Sequence, residues 1–134
     1  MTLYSSRDEI SEQYRWDLTS IFETDEAFLA ALEKAKTYPE KYLAFKGRIS
    51  QAPETLLEYL QFDDEVSIEL SKLINYANRK ADEDTRASLY QDYSSQVMSL
   101  YVSISSACSW FASELLSLSE TCMDDFYQQC PDLE

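Results

Sequence analysis

The chain has 134 residues, of which 25 are acidic and 11 basic, and it contains no histidine, one glycine and three cysteines. This length suits one domain, residues 1–134. Without histidine the chain can form neither a His-bearing catalytic triad nor an HExxH zinc helix, and one glycine cannot build a glycine-rich phosphate loop. The formal charge of -14 makes nucleic acids and anionic membranes poor partners, because binding them requires clustered Lys and Arg.

The cysteines indicate a reducing compartment. The chain has an odd number of cysteines without CxxC spacing, namely Cys108, Cys122 and Cys130. Residues 1–10 carry charges where a signal peptide would be apolar. We therefore expect a cytoplasmic chain whose thiols are reduced and buried or idle, with a three-thiolate zinc site as the less favoured alternative. Residues 1–23 as a whole are expected to form an extended or irregular segment of the domain.

The first helix is predicted over residues 25–46, where apolar side chains recur at three to four residue spacing. Thr24 is placed to cap its first free amides. Gly47 can take the left-handed conformation that often ends a helix. Pro39 lies inside the pattern and should bend or interrupt the helix near residue 38.

The second helix is predicted over residues 53–81. Pro53 suits its first turn, because the N–H that proline lacks would have had no partner there. Three adjacent acids, Asp63, Asp64 and Glu65, crowd like charges together and could loosen the helix over residues 62–65. We interpret these acids as a solvated face rather than as a cation site.

The third helix is predicted over residues 86–118, with a seam of apolar residues at heptad spacing. The run Asp82 to Thr85 should end the second helix and cap the third, rather than bind a cation. Ser119 begins a short fourth helix, and Pro131 indicates the start of another. Because that last signal comes within one turn of Glu134, we expect the natural polypeptide to continue.

These elements predict an all-α fold. Two long helices joined by a short acidic turn must lie antiparallel, since a short connection leaves the chain no room to cross over. The expected architecture is an antiparallel bundle or hairpin of three long helices with a short C-terminal helix.

Residues 93–113 carry no charge, although they belong to a long helix. Eight serines and one glutamine make a membrane span an unattractive explanation. The stretch is either an uncharged outer face in water or a helix contacted on more than one side. Exposed helix faces usually carry Lys and Glu, which favours the second interpretation. The candidate interface residues are Ser95, Ser99, Ser106, Trp110 and Ser113.

Nine short motifs, taken in order, make the chain resemble one known family from end to end. They are Arg7-Asp8-Glu9-Ile10, Trp16-Asp17-Leu18, Ile21-Phe22, Asp25-Glu26-Ala27-Phe28, Phe45-Lys46-Gly47, Glu54-Thr55-Leu56-Leu57, Asp82-Glu83-Asp84-Thr85, Trp110-Phe111 and Glu114-Leu115-Leu116. In this order and spacing they resemble the N-terminal helical region of the oligoendopeptidase F branch of the M3 metallopeptidases. Ser113 replaces an expected proline, which should leave the long helix less kinked, and Cys130 replaces a common asparagine, which removes a capping side chain.

The resemblance implies a cytoplasmic zinc endopeptidase that acts on short peptides inside an enclosed helical cavity. In that family two histidines of HExxH and a downstream glutamate hold zinc, and none of these residues is present here. The resemblance therefore assigns no catalytic residue and no metal ligand to this chain. Zinc is implied only for the full-length enzyme, and no cofactor is expected in the chain itself. Its implied role is to wall the substrate cavity.

The implied partners are the catalytic part of the same polypeptide and an oligopeptide substrate. Trp16 and Trp110 are expected to be core or interdomain aromatics rather than platforms for peptide stacking. A docking face left uncovered should also make the chain self-associate. The alternative is an independent acidic helical module that binds a protein partner through its uncharged helix. A reading frame that continued into HExxH would favour the peptidase.

Overall fold

The structure is a computed structural model that describes residues 7–133. Within that range it is helical and contains no strand, which confirms the all-α prediction. Predictions that involve residues 1–6 or Glu134 lie outside the described residues. Short 3-10 turns occur at Arg7–Glu9, Glu12–Tyr14, Leu18–Ser20 and Pro131–Leu133. The α-helices are α1 (Asp25–Ala35), α2 (Tyr38–Phe45), α3 (Pro53–Glu83), α4 (Ser88–Cys108), α5 (Phe111–Leu116) and α6 (Glu120–Gln129).

The predicted first helix is two helices, α1 and α2, as the proline indicated. The hydroxyl of Thr24 accepts a hydrogen bond from the Ala27 amide at 3.2 Å and so caps α1. Pro39 lies in the first turn of α2, where its missing N–H costs no helical hydrogen bond. Gly47 has a φ of 77°, the left-handed conformation expected after a helix C-terminus. The cap, the interruption and the stop are all confirmed.

The second predicted helix is α3, and it is continuous through the acidic run. The expected loosening over residues 62–65 is wrong. Asp63 turns toward α2, where its carboxylate accepts a hydrogen bond from the Tyr42 hydroxyl at 2.7 Å. Asp64 and Glu65 stay exposed to water, which screens their repulsion. The three acids therefore separate into different environments and do not disrupt the helix.

The third predicted helix does not run unbroken over residues 86–118, which corrects the prediction. It is divided into α4 and α5 by a turn at Ser109 and Trp110. Both the amide and the hydroxyl of Ser109 donate to the Ser106 carbonyl, at 3.3 and 2.8 Å, and this tightens the backbone. Beyond the turn, Phe111 stacks on Tyr59 of α3 with ring centroids 4.2 Å apart. Local hydrogen bonding and a distant aromatic contact together interrupt the helix.

Asp82 and Glu83 are the last residues of α3, so the run Asp82 to Thr85 ends that helix as predicted, but it does not cap α4 with Thr85. Asp84 accepts a hydrogen bond from the Arg86 amide at 3.0 Å and pairs with the Arg86 guanidinium at the same distance. The residue before α4 is Ala87, whose side chain cannot accept a hydrogen bond. The predicted start of the short C-terminal helix is confirmed, because the Ser119 hydroxyl caps α6 by accepting from the Cys122 amide.

The three long segments form an up-down-up bundle. Asp25, at the start of α1, contacts Tyr76 near the end of α3 and Tyr90 near the start of α4. At the other end of the bundle Tyr59, near the start of α3, contacts Phe111 beyond the end of α4. Helices α3 and α4 therefore lie antiparallel, and α1–α2 packs beside them. The core between them includes the fully buried side chains Phe28, Leu32, Tyr42, Ile49, Leu56, Leu73 and Val97.

Candidate functional site on the outer face of α4

The structure places three of the five candidate interface residues on one side of α4. Ser95, Ser99 and Ser106 are exposed and lie opposite the buried seam of the helix. Trp110 belongs to the turn after α4, and Ser113 is exposed on α5. The buried seam itself consists of Tyr93, Val97, Leu100, Ile104 and Ala107.

Two of the serine hydroxyls on this side of α4 are turned toward the helix backbone. Ser95 donates to the Gln91 carbonyl and Ser99 donates to the Ser95 carbonyl, both at 3.0 Å. Such bonds to the preceding turn satisfy the hydroxyl donor within the helix itself. The Ser95 and Ser99 hydroxyls consequently lose little when water leaves this part of the surface.

Apolar side chains that the sequence analysis did not select stand between these serines. Met98 is 46% exposed and Val102 is 62% exposed. The signal that could have identified them is their position in the uncharged stretch but off the predicted seam. We call the surface formed by Ser95, Met98, Ser99, Val102, Ser105, Ser106 and Ser109 the outer face of α4.

A groove of about 540 Å³ separates the outer face of α4 from the junction of α1 and α2. Its two charged side chains are already engaged within their own helices, because Lys36 forms an ion pair with Glu33 and Asp92 accepts a hydrogen bond from Gln96 at 2.7 Å. The groove therefore borders the outer face of α4 on the side of α1–α2, with one cation and one anion in its own lining. Its lining residues are Lys36, Pro39, Asp92, Ser95, Gln96, Ser99, Leu100 and Ser103.

The two tryptophans occupy different environments. Trp110 is half-buried against Tyr59, with ring centroids 5.5 Å apart, and its buried Nε1 has no hydrogen-bond acceptor in the described part of the chain. Trp16 is 59% exposed, and the Arg79 guanidinium lies 4.1 Å from the centre of its ring. Trp110 thus packs against the core as expected, whereas Trp16 is not a core residue.

The inner side of α1–α2 has the opposite character, because tyrosine hydroxyls and carboxylates join the helices there. Asp25 accepts hydrogen bonds from Tyr76 at 2.7 Å and from Tyr90 at 3.0 Å. Glu69 accepts from Lys34 and from Tyr38, and these bonds, that from Lys34 first, lower the pKa of the Glu69 carboxyl. We call these contacts, together with Tyr42 and Asp63, the tyrosine–carboxylate seam.

Metal-binding chemistry receives no support from the described residues. Across positions 7–133, no three His, Cys, Asp or Glu side chains come together in a way that could hold a metal ion. The three cysteines are free, and burial raises the pKa of the Cys108 thiol, which disfavours the thiolate that metals require. None of the described helices is long and apolar enough to cross a membrane.

Known proteins align with this chain over most of its length, as the order of the sequence motifs indicated. No family model matches the chain. It is 33% identical over 129 residues to group B oligopeptidase PepB of Streptococcus agalactiae, an alignment that covers 96% of this chain and 22% of the relative. It is 37% identical over 119 residues to the chromosomal oligoendopeptidase F of Lactococcus lactis, covering 85% of this chain and 19% of the relative.

A solved structure is also similar to this chain. The crystal structure of oligoendopeptidase-F from Enterococcus faecium matches 82% of this chain and 22% of its own, with a TM-score of 0.72 and 26% identity. The chain is a homologue of the N-terminal helical region of oligoendopeptidase F. This confirms the resemblance. The chain spans about a fifth of the length of the oligoendopeptidase F relatives it matches.

Proposed function

We propose that this chain is the N-terminal accessory part of a cytoplasmic, zinc-dependent oligoendopeptidase that hydrolyses short peptides in an enclosed cavity. In this proposal the chain walls one side of the cavity and supplies no catalytic or zinc-binding residue. The absence of histidine supports the assignment of zinc and catalysis to the rest of the polypeptide, since an HExxH helix needs two histidines. The relatives are roughly four to five times as long and leave room for that part.

The observation that carries the proposal is the uncharged outer face of α4. On a chain in which 27% of residues are charged, a helix of this length in contact with water should carry Lys or Glu on its exposed side. Instead, exposed Met98 and Val102 share this side of α4 with Ser95 and Ser99, whose hydroxyls bond to their own helix. Such a surface can be covered at low cost in desolvation. We assign it, with Trp110 and Ser113, to contact with the catalytic part.

The dimensions of the bundle suit a wall. Helix α3 has 31 residues and α4 has 21. At about 1.5 Å per residue they are roughly 46 and 31 Å long. These lengths are more than enough to cover one side of a bound short peptide. The tyrosine–carboxylate seam fixes α1–α2 against them, which gives the wall a defined shape.

A chimera tests the proposal. The chain replaces the matching segment of Lactococcus lactis oligoendopeptidase F, and hydrolysis of a quenched fluorogenic peptide is measured. We expect the chimera to be active, the relative without this segment to be inactive, and the isolated chain to show neither hydrolysis nor zinc retained after dialysis. Stoichiometric zinc or peptidase activity in the isolated chain would contradict the proposal. A folded but inactive chimera would favour the independent interaction module.

A further inference from the structure

We propose that the groove between α4 and the junction of α1 and α2 binds a short peptide in extended form and recognises both of its free ends. The Asp92 carboxylate receives the N-terminal ammonium of the peptide, and the Lys36 ammonium receives its C-terminal carboxylate. The class of ligand, an oligopeptide, rests on the proposed function. The groove itself belongs to this chain and can be tested without the catalytic part.

Two contacts fix the register between α1 and α4. The Asp25 carboxylate accepts a hydrogen bond from the Tyr90 hydroxyl at 3.0 Å, and Phe28 packs on Tyr93 with ring centroids 5.2 Å apart. In both contacts the partner on α4 lies 65 positions later in the chain. The two helices therefore run parallel here, and each residue of α1 stands level with the residue of α4 that follows it by this interval.

The same register gives the distance between the two charges of the groove. Lys36 directly follows α1 and stands level with about residue 101, nine residues beyond Asp92. Nine residues of helix are about 13 Å long at 1.5 Å per residue. An extended chain advances about 3.3–3.6 Å per residue, so about four residues span this distance. The groove volume of about 540 Å³ also lies within the usual range for ligand sites.

Both charged side chains keep binding capacity for a ligand. Lys36 and Glu33 form an ion pair in which the side chains are 48% and 68% exposed, and such exposed pairs contribute little to stability. The Asp92 carboxylate accepts a hydrogen bond from Gln96 at 2.7 Å, whereas two carboxylate oxygens can accept about four. Binding of the two peptide ends therefore does not require the loss of an interaction on which the fold depends.

The α4 side of the groove offers acceptors for the peptide backbone. The Ser95 and Ser99 hydroxyls donate to carbonyls of their own helix, which leaves the hydroxyl oxygens able to accept. These two serines are four residues apart, about 6 Å along α4. Alternate N–H groups of an extended chain are separated by a similar distance, about 6.6 Å. The serines thus recognise the peptide backbone, and we expect selection for length and free ends rather than for side chains.

The position of the groove agrees with the proposed wall. Ser95 and Ser99 line the groove and also belong to the outer face of α4, so the groove begins where the assigned contact with the catalytic part ends. A peptide held there lies at the junction between the wall and the catalytic part. The enclosed cavity of the proposed function places its substrate at such a junction.

The first test uses tetra-alanine as the probe and measures its dissociation constant from the NMR chemical shifts of the isotope-labelled chain. We expect millimolar binding, weakened about threefold by amidation of the C-terminus and about threefold by acetylation of the N-terminus, as for exposed ion pairs. Dialanine spans only about 7 Å, so it should bind more weakly and respond less to blocking of either end. Equal binding of the free and blocked tetrapeptides, or no binding, would overturn the proposal.

The second test assigns each end of the peptide to its partner. K36Q should abolish the preference for a free carboxylate over an amide and keep the preference for a free ammonium over an acetyl group. D92N should do the reverse. The matched controls K72Q and D64N neutralise exposed side chains of α3 outside the groove and should keep both preferences. A variant that behaves like its control, in a chain shown by circular dichroism to be folded, would contradict the recognition of both ends.

A third measurement separates this inference from the proposed function. In the chimera with the Lactococcus lactis peptidase, K36Q should raise KM about threefold for a peptide with a free C-terminus. It should leave kcat unchanged, and it should leave KM unchanged for the same peptide as an amide. An active chimera in which K36Q and K72Q behave alike would overturn the peptide groove and leave the peptidase assignment standing. An inactive chimera, beside end-specific binding by the isolated chain, would support the groove and contradict the proposed function.

Discussion

The tyrosine–carboxylate seam and the outer face of α4 use polar side chains in opposite ways. In the seam, polar groups form hydrogen bonds between helices. The single side chain of Asp25, for example, joins α1 to both α3 and α4. On the outer face, Ser95 and Ser99 bond only to the backbone of their own helix. Bonds between elements fix the fold, whereas bonds within one element leave its surface available to a partner.

Aromatic packing strengthens the same contrast. Around the seam, Phe28 lies between Tyr76 and Tyr93 at centroid distances of 5.1 and 5.2 Å and is fully buried. Such ring pairs add to the stability gained by burial alone. On the outer face, by contrast, the apolar side chain of Val102 is mostly exposed. Stability should therefore respond strongly to changes in the seam and weakly to changes on the outer face.

The largest effect is expected from F28A. Removal of a fully buried ring leaves a cavity beside Tyr76 and Tyr93, and we expect the free energy of unfolding to fall by about 3–5 kcal/mol. Urea denaturation measures the loss. V102A on the outer face is the control and should change stability by less than about 0.5 kcal/mol. Similar losses in the two variants would remove the distinction between the regions.

The seam should also make the fold sensitive to alkali. Burial and then the hydrogen bond to Asp25 raise the pKa of Tyr90 to about 12, and burial together with nearby carboxylates raises the pKa of Tyr42 and Tyr76 still further. A tyrosine whose pKa is raised by folding contributes stability fully below its unfolded pKa of about 10, and this stability is lost as pH rises through the folded value.

We therefore expect the free energy of unfolding to decline from about pH 10 upward, through the range in which Tyr90 ionises. Tyrosinate absorbance and urea denaturation, recorded at the same pH values, should change together. Tyrosines that all ionise near pH 10 while the protein remains fully folded would show that the seam does not hold their hydroxyls.

A smaller loss is expected from D25N. The substitution removes a charged acceptor shared by Tyr76 and Tyr90, and charge-assisted hydrogen bonds are stronger than neutral ones. We expect a loss of about 1–2 kcal/mol in the free energy of unfolding. The control is E26Q, which neutralises an exposed acid in the same first turn of α1. Because both variants weaken the interaction with the helix dipole, an equal loss would exclude a special role for the two tyrosines.

The sequence predicted the features that depend on neighbouring residues. Thr24, Pro39 and Gly47 act through their own backbone or the next turn, and the structure confirms each of them. The order of the helices and their antiparallel arrangement followed from segment lengths and short connections. The candidate serines of α4 were found by the absence of charge, a property visible in sequence alone.

The features that the sequence could not predict depend on contacts between distant residues. The break after α4 involves Phe111 and Tyr59, which are 52 positions apart in the sequence. Asp63 stays in a regular helix because Tyr42 reaches it from α2. Whether Met98 and Val102 are exposed depends on the side of α4 that the bundle covers. Periodicity does not specify these pairings.

The most direct test of the central claim introduces lysine at Ser99 and Ser106 in two settings. In the isolated chain, S99K/S106K places two charges on an open surface, and we expect its melting temperature to stay unchanged while the chain becomes more soluble. In the chimera with the Lactococcus lactis peptidase, the same charges should be buried against the catalytic part and lower stability or peptidase activity. Equal tolerance in the chain and the chimera would show that the outer face of α4 is solvated in both, and would contradict its assignment as a docking surface.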